Sequence, residues 1–182
     1  MDNDGDEILV TRARRGDEAA FARLVERHYA RIFRVAWRWT GDQSDAEDVA
    51  QDVCVKLARA IGAFRGEAAF TTWLTRMTIN AARDTIRARI RRERQVSALA
   101  LVDDRSAPPC SAGDAGDGAS ALWRAVQSLP ARQRDATLLV YGEGMKHAEA
   151  ARVLGCREST LSWHLHEARK ALQRMLKDEV DG

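Results

Sequence analysis

Apolar residues recur along this chain at intervals of three and four, in blocks that end at glycine. That spacing is the signature of helices with one buried face. Asp6 to Arg15 reads as a short helix closed by Gly16. Asp17 then caps a long helix to about Thr40, with Phe21, Leu24, Val25, Ile32, Val35, Ala36 and Trp39 on one side and Gly41 as its stop. Ser44-Asp45-Ala46-Glu47 has the form of a capping box. The helix it predicts runs to about Ile61, with Gly62 as the stop. Ala46, Val49, Ala50, Val53, Leu57, Ala60 and Ile61 form its inner side, and Asp45, Asp48, Gln51, Asp52, Lys56 and Arg59 its outer side. Phe64 to Ala69, around Gly66, is a loop. A further helix spans Phe70 to Arg94.

Periodicity dissolves from about Gln95 to Ala119. This stretch is small, polar and rich in Gly, Ser and Asp, with a Pro pair, a composition that predicts a flexible linker. Helical spacing resumes near Ser120 with Leu122, Val126 and Leu129, and Pro130 breaks it. Helices are predicted over Arg132 to Tyr141, closed by Gly142 and Gly144, over Lys146 to Leu154, and over Ser159 to about Lys177. Gly155 turns the chain between the last two, as in a helix-turn-helix. With three prolines and no alternating pattern, the chain reads as all-α: two small helical domains, 1–94 and 120–182, joined by the linker 95–119.

Charge changes this picture locally. The chain of 182 residues carries a net charge of only +2, with 31% charged residues. Seven arginines nevertheless stand against two acids between Arg76 and Arg94, whereas Gln95 to Ser120 holds four Asp and one Arg. On the Phe70 helix, Trp73, Arg76, Asn80, Arg83, Asp84, Arg87 and Arg91 share a polar stripe opposite Leu74, Met77, Ala81, Ile86 and Ile90. Arginine holds phosphate, an amide can read a base edge, and a ring can stack on an unpaired base, so the stripe suits nucleic acid. By itself it equally fits a solvated basic face on a core helix. The second helical pair bears on that choice, because a recognition helix presents its first turns to the major groove. Those residues are Arg157, Ser159, Thr160, Ser162, Trp163 and His166, with Arg169 and Lys170 placed for phosphates.

Cys54, Cys110 and Cys156 are odd in number and widely spaced, so no disulfide framework or zinc ribbon follows. Cys54 reads as a small buried hydrophobe. His164 and His166 are two residues apart on a helix and point to different sides, so with Cys156 and His147 they make no metal site. No metal and no cofactor are expected. The acidic N-terminus lacks an apolar run of signal length, and no stretch is long enough to span a membrane, so a cytoplasmic protein without membrane insertion is expected. No nucleophile triad, phosphate loop or catalytic carboxylate pair is present, so enzyme activity is not expected.

Three segments resemble the extracytoplasmic-function class of bacterial RNA polymerase sigma factors. AFARLVERHYARIFRVAWRWTGDQSDAEDVAQDVCVKLARAIGAFRG is similar to region two, with its D-A-E-D-V-x-Q core. AAFTTWLTRMTINAARDTIR carries the Trp-Leu, Asn and Asp-x-x-Arg pattern. SLPARQRDATLLVYGEGMKHAEAARVLGCRESTLSWHLHEARKAL resembles region four. The resemblance covers about Ala20 to Leu176 apart from the linker. It implies a transcription initiation factor that binds core RNA polymerase, through the β′ clamp coiled coil and the β flap, and acts on promoter DNA. By the same resemblance Asp45, Asp48, Gln51 and Asp52 dock on the basic β′ coiled coil. Phe64, Arg65, Arg76, Asn80, Arg83, Asp84 and Arg87 face the minus-ten strand, and the Arg157 to Lys170 set reads the minus-thirty-five element. Trp73 ranks below Asn80 as a DNA contact, because the ring of the family's Trp-Leu pair packs against the core. An anti-sigma factor is the expected regulatory partner. The alternative reading is a sigma-like decoy that sequesters an anti-sigma factor. Leu161-Ser162-Trp163-His164 departs from the family's Lys-Ser-Arg-like run, which leaves the upstream sequence open.

Overall fold

A computed structural model describes residues 5–99 and 117–180. Every regular element among them is helical. They form α1 (Asp6–Arg14), α2 (Glu18–Thr40), α3 (Gln43–Ala60), α4 (Phe70–Leu99), α5 (Asp117–Ser128), α6 (Ala131–Thr137), α7 (His147–Leu154) and α8 (Glu158–Val180). A 3-10 turn, Ile61–Ala63, follows α3, and a π-helical segment, Leu138–Gly142, follows α6. The chain divides into two compact units, one holding α1–α4 and the other α5–α8.

In the N-terminal unit α2 packs against α1, α3 and α4. Its stripe of Leu24, Ile32, Val35 and Trp39 is buried to within 1% exposure, and it meets Val49, Val53 and Leu57 of α3 and Leu74 and Ile79 of α4 in the same core. Burying each such aliphatic side chain is worth about 1.5–3 kcal/mol. The expected α2 boundaries hold. The Asp17 carboxylate accepts from the Ala20 N–H at 3.0 Å, and Gly41 closes the helix in the left-handed conformation, φ 69°. The Ala20 N–H, and then the Arg12 side chain, hold the Asp17 carboxyl below its ordinary value.

Four expectations shift. The cap of α3 is Asp42, whose side chain accepts from the Asp45 N–H at 2.8 Å, so Ser44 lies inside the helix and the expected capping box is not the device used. An Asp two residues upstream competes for the same orphan donors and, being charged, wins. Gly62 sits within the 3-10 turn rather than ending a helix at a left-handed residue. The predicted linker is helical at both margins, because α4 continues to Leu99 and α5 begins at Asp117; nothing breaks a helix after Arg94. The rest of that linker, 100–116, and with it Cys110, lies outside the described residues. Finally, the helix expected from Arg132 to Tyr141 widens to a π turn at Leu138, and the Glu143 N–H bonds back to the Leu138 carbonyl at 2.9 Å.

In the C-terminal unit α8 packs on α5, α6 and α7. Leu139, Ala150, Leu154, Leu161, Leu165 and Ala168 make its core. The tight turn expected at Gly155 is present, with φ 65°, a conformation that a residue bearing Cβ adopts at a cost. The Glu149 carboxylate accepts from the Lys146 N–H at 3.3 Å, which ties down the start of α7.

The reassigned cap is directly testable. Asp42→Ala should lower the stability of the N-terminal unit by about 0.5–2 kcal/mol, whereas Ser44→Ala should change it by no more than about 0.5 kcal/mol. Urea denaturation followed by far-ultraviolet circular dichroism measures both, and a larger loss for Ser44→Ala than for Asp42→Ala would return the cap to Ser44.

Candidate nucleic-acid and polymerase interfaces

The outer face of α3 presents Asp48, Gln51 and Asp52 to solvent. Val55, half exposed at 50%, completes the stripe at positions i, i+3, i+4 and i+7. Val55 is absent from the outer side expected from the sequence, although its spacing from Asp48 and Gln51 places it there. Val55 is thus an exposed apolar residue set among acids. Asp52 pairs with Lys56 one turn on, at 2.6 Å, an exposed contact worth at most about 0.5 kcal/mol and therefore easily exchanged for a partner's cation.

Asp45, expected on this outer stripe, is turned instead toward α4. Its carboxylate accepts from Arg89 Nη1 at 2.8 Å, and its side chain is only 19% exposed. The reason is geometric. Asp45 stands at the start of α3, where α4 passes close enough for a guanidinium to reach it. Arg89 was one of seven arginines in the basic run and could not be singled out by spacing.

On α4 the stripe of Arg76, Asn80, Asp84, Arg87 and Arg91 is exposed, with Leu74, Ile79, Ala81 and Ala82 buried behind it. Arg83 is half-buried at the stripe's edge. Arg87 donates to Asp84 at 3.0 Å, which orients its guanidinium along the helix. The apolar side of α4 ends sooner than expected. Ile86 is half-buried, Ile90 is 38% exposed, and Arg91 to Gln95 are all exposed. The last basic turns thus reach past the core.

The loop before α4 is built on an aromatic cluster. The Phe64 ring lies 4.9 Å from Trp73 and 5.9 Å from Phe70, and Phe70 meets the edge of His28 at 5.4 Å. Trp73 therefore packs in the cluster, as its place in a Trp-Leu pair implied. Phe64, expected to face DNA, spends part of its ring on the same cluster and is half-buried. Arg65 and Glu67 flank Gly66 in solvent, and Gly66 takes φ 74°.

In the C-terminal unit Arg157, Ser159, Thr160, Ser162, Trp163, His166, Arg169 and Lys170 are all exposed, while Leu161, Leu165 and Ala168 face the core. Trp163, 56% exposed, leans its ring against His164 at 5.0 Å. Arg169 donates to the Tyr141 hydroxyl, in the π-helical segment after α6, at 3.1 Å, a contact that no sequence pattern signalled. Burial pushes the Cys54 thiol pKa up, away from thiolate chemistry, in keeping with a packing role. Among the described residues no group of three or more His, Cys, Asp or Glu could hold a metal, and no helix is long and apolar enough to cross a membrane.

Two family models match this chain: sigma-70 region 2 over residues 24–92 and sigma-70 region 4 over residues 119–172. The chain is 34% identical to the RNA polymerase sigma-H factor of Pseudomonas aeruginosa over 94% of each chain. The chain belongs to the extracytoplasmic-function class of the sigma-70 family. It is also 34% identical to the extracytoplasmic-function sigma factor SigM of Mycobacterium tuberculosis, over 88% of this chain and 79% of that one. Among solved structures it is similar to the sigma factor RpoE of Bartonella quintana in its complex with the anti-sigma factor NepR. That match has a TM-score of 0.67 and 25% identity, over 86% of this chain and 96% of the other. Sigma factors are regulatory proteins rather than enzymes.

The Asp45–Arg89 pair ties α3, the acidic helix of this sigma factor, to the basic helix α4. A double-mutant cycle with Asp45→Ala and Arg89→Ala should show a coupling of about 0.5–3 kcal/mol in unfolding free energy. Additive effects would show that the half-buried pair contributes nothing beyond its separate side chains.

Proposed function

We propose that this sigma factor binds core RNA polymerase, directs it to promoters with two recognition elements and helps to melt the minus-ten element. The observation that carries this reading is the separation of three exposed surfaces of distinct chemistry: an acidic stripe on α3, an arginine–asparagine stripe on α4, and a polar recognition helix, α8. The acidic stripe suits the basic β′ clamp coiled coil, since opposite charge steers docking and fixes register. The C-terminal unit meets the β flap. Residues 1–94 act as region two, 95–119 as the tether and 120–182 as region four.

On α4, Asn80 offers an amide to the edge of an unstacked base, while Arg76 and Arg87 hold the backbone. Unstacking a base costs a few kcal/mol, which the pocket and phosphate contacts offset without ATP. On α8, His166 and Ser162 reach base edges in the major groove, Trp163 supplies apolar contact, and Arg157, Arg169 and Lys170 hold phosphates. The protein works in the cytoplasm beside the polymerase. The Bartonella relative's complex supports an anti-sigma factor as the regulatory partner. Run-off transcription with core polymerase tests the whole reading; failure to initiate, with anti-sigma binding retained, would make the chain a decoy.

Asp48→Ala combined with Asp52→Ala should weaken binding to core polymerase by at least about 2 kcal/mol with helicity unchanged. A titration against core polymerase measures it, and unchanged affinity removes α3 from the interface.

The two DNA surfaces should fail differently. Asn80→Ala should impair promoter opening more than closed binding, and a pre-melted bubble should restore it only in part, because the base contact is still missing. His166→Ala should relax discrimination at the upstream element by about 1–3 kcal/mol on any template. Permanganate footprinting and gel shifts on promoters with altered upstream sequence read the two, and parental behaviour of either variant removes that residue from its surface.

A further inference from the structure

A cleft of about 470 Å³ opens between α1 and the loop that leads into α4. That volume lies in the range of small-ligand sites. One wall is the loop, with Phe64 and Gly66; the other is α1, with Glu7, Val10, Thr11 and Arg14. The α1 wall is held in place. Asp6 accepts from Arg27 of α2 at 2.9 Å and lies 2.9 Å from Nε2 of the buried His28, at ion-pair distance rather than in an aligned hydrogen bond. His28 in turn abuts Phe70, whose ring touches Phe64 on the opposite wall. One continuous set of contacts therefore sets the width of the cleft.

Two charged groups on that wall are uncommitted. Both Glu7 and Arg14 are exposed, and neither has an ion-pair partner among the described residues. They stand seven residues apart on the same face of α1, about 10.5 Å along the axis. Opposite charges at that spacing, across from an aromatic ring, match the parts of one unpaired nucleotide. The ring stacks, the carboxylate accepts from an exocyclic amine, and the guanidinium holds phosphate.

We propose that α1 forms the far wall of the nucleotide site in the minus-ten strand, with Arg14 on a backbone phosphate and Glu7 selecting a base that carries an exocyclic amine. This rests on the reading that the loop and α4 engage the melted strand. It adds that the captured base is adenine, cytosine or guanine and not thymine, and that α1, outside the sigma-70 region 2 match, is part of the DNA surface.

The test uses the full chain with core polymerase on a pre-melted template, its promoter selected from random DNA. Single methylphosphonates and single-base replacements are scanned along the non-template minus-ten strand. Arg14→Ala should lose five- to twentyfold in affinity, and one phosphate whose neutralisation weakens the parent should become silent in the variant. Arg14→Lys should regain part of the loss. Glu7→Gln, an isostere that can also donate, should accept thymine at a position where the parent rejects it. Affinity of Arg14→Ala within twofold of the parent, or unchanged sensitivity at every phosphate, would overturn the proposal. If Asn80→Ala still weakened binding under those conditions, the α1 wall would fail while the reading of α4 stood. If neither variant nor any methylphosphonate mattered, both would fall together. Circular dichroism and core-polymerase binding confirm that each variant is folded.

Discussion

The N-terminal unit depends on burial of the α2 stripe. Leu24, Ile32, Val35 and Trp39 sit against α1, α3 and α4 with almost no exposure, so the three surrounding helices must each turn an apolar face inward. Once those faces are committed, the polar faces of α3 and α4 have no choice but to point outward. The acidic stripe on α3 and the basic stripe on α4 are in this sense consequences of one packing event. Loss of a large α2 side chain would disturb both surfaces together.

The two stripes are separate but not independent. Asp45 leaves the acidic face to pair with Arg89, and this half-buried contact sets the start of α3 against the middle of α4. A half-buried ion pair is a modest source of stability, but it restricts how the helices can slide past one another. The helix that carries the acidic stripe is thus fastened to the helix that carries the basic one. The aromatic cluster of Phe64, Phe70 and Trp73 does the same for the loop, whose conformation is tied through Phe70 to His28 of α2.

The C-terminal unit solves a smaller version of the same problem. Leu161, Leu165 and Ala168 anchor α8 to the core, and every expected reading residue falls on the exposed side. Trp163 and Tyr141 are large aromatic residues left largely in solvent. Tyr141 lies in the π-helical segment after Thr137, and its hydroxyl accepts from Arg169.

The sequence by itself determined the all-helical class, the order of the helices, the glycine stops at Gly41 and Gly155, and the division of charge into an acidic, a basic and a mixed helix. These follow from local rules: period, capping and left-handed glycine act within a few residues and need no distant partner. It also determined which α8 positions face outward, since Leu161 and Leu165 mark the buried side. The cap at Asp42 rather than Ser44 is also a local outcome, a competition between two neighbours for the same N–H groups. Only the tertiary structure decided that Asp45 faces inward, that Ile90 is uncovered, and that α1 stands across a cleft from Gly66. Each of those depends on which group from another segment the fold brings near. Seven similar arginines in one run carry the same local signal, and only the fold determines that Arg89 is the one that meets Asp45.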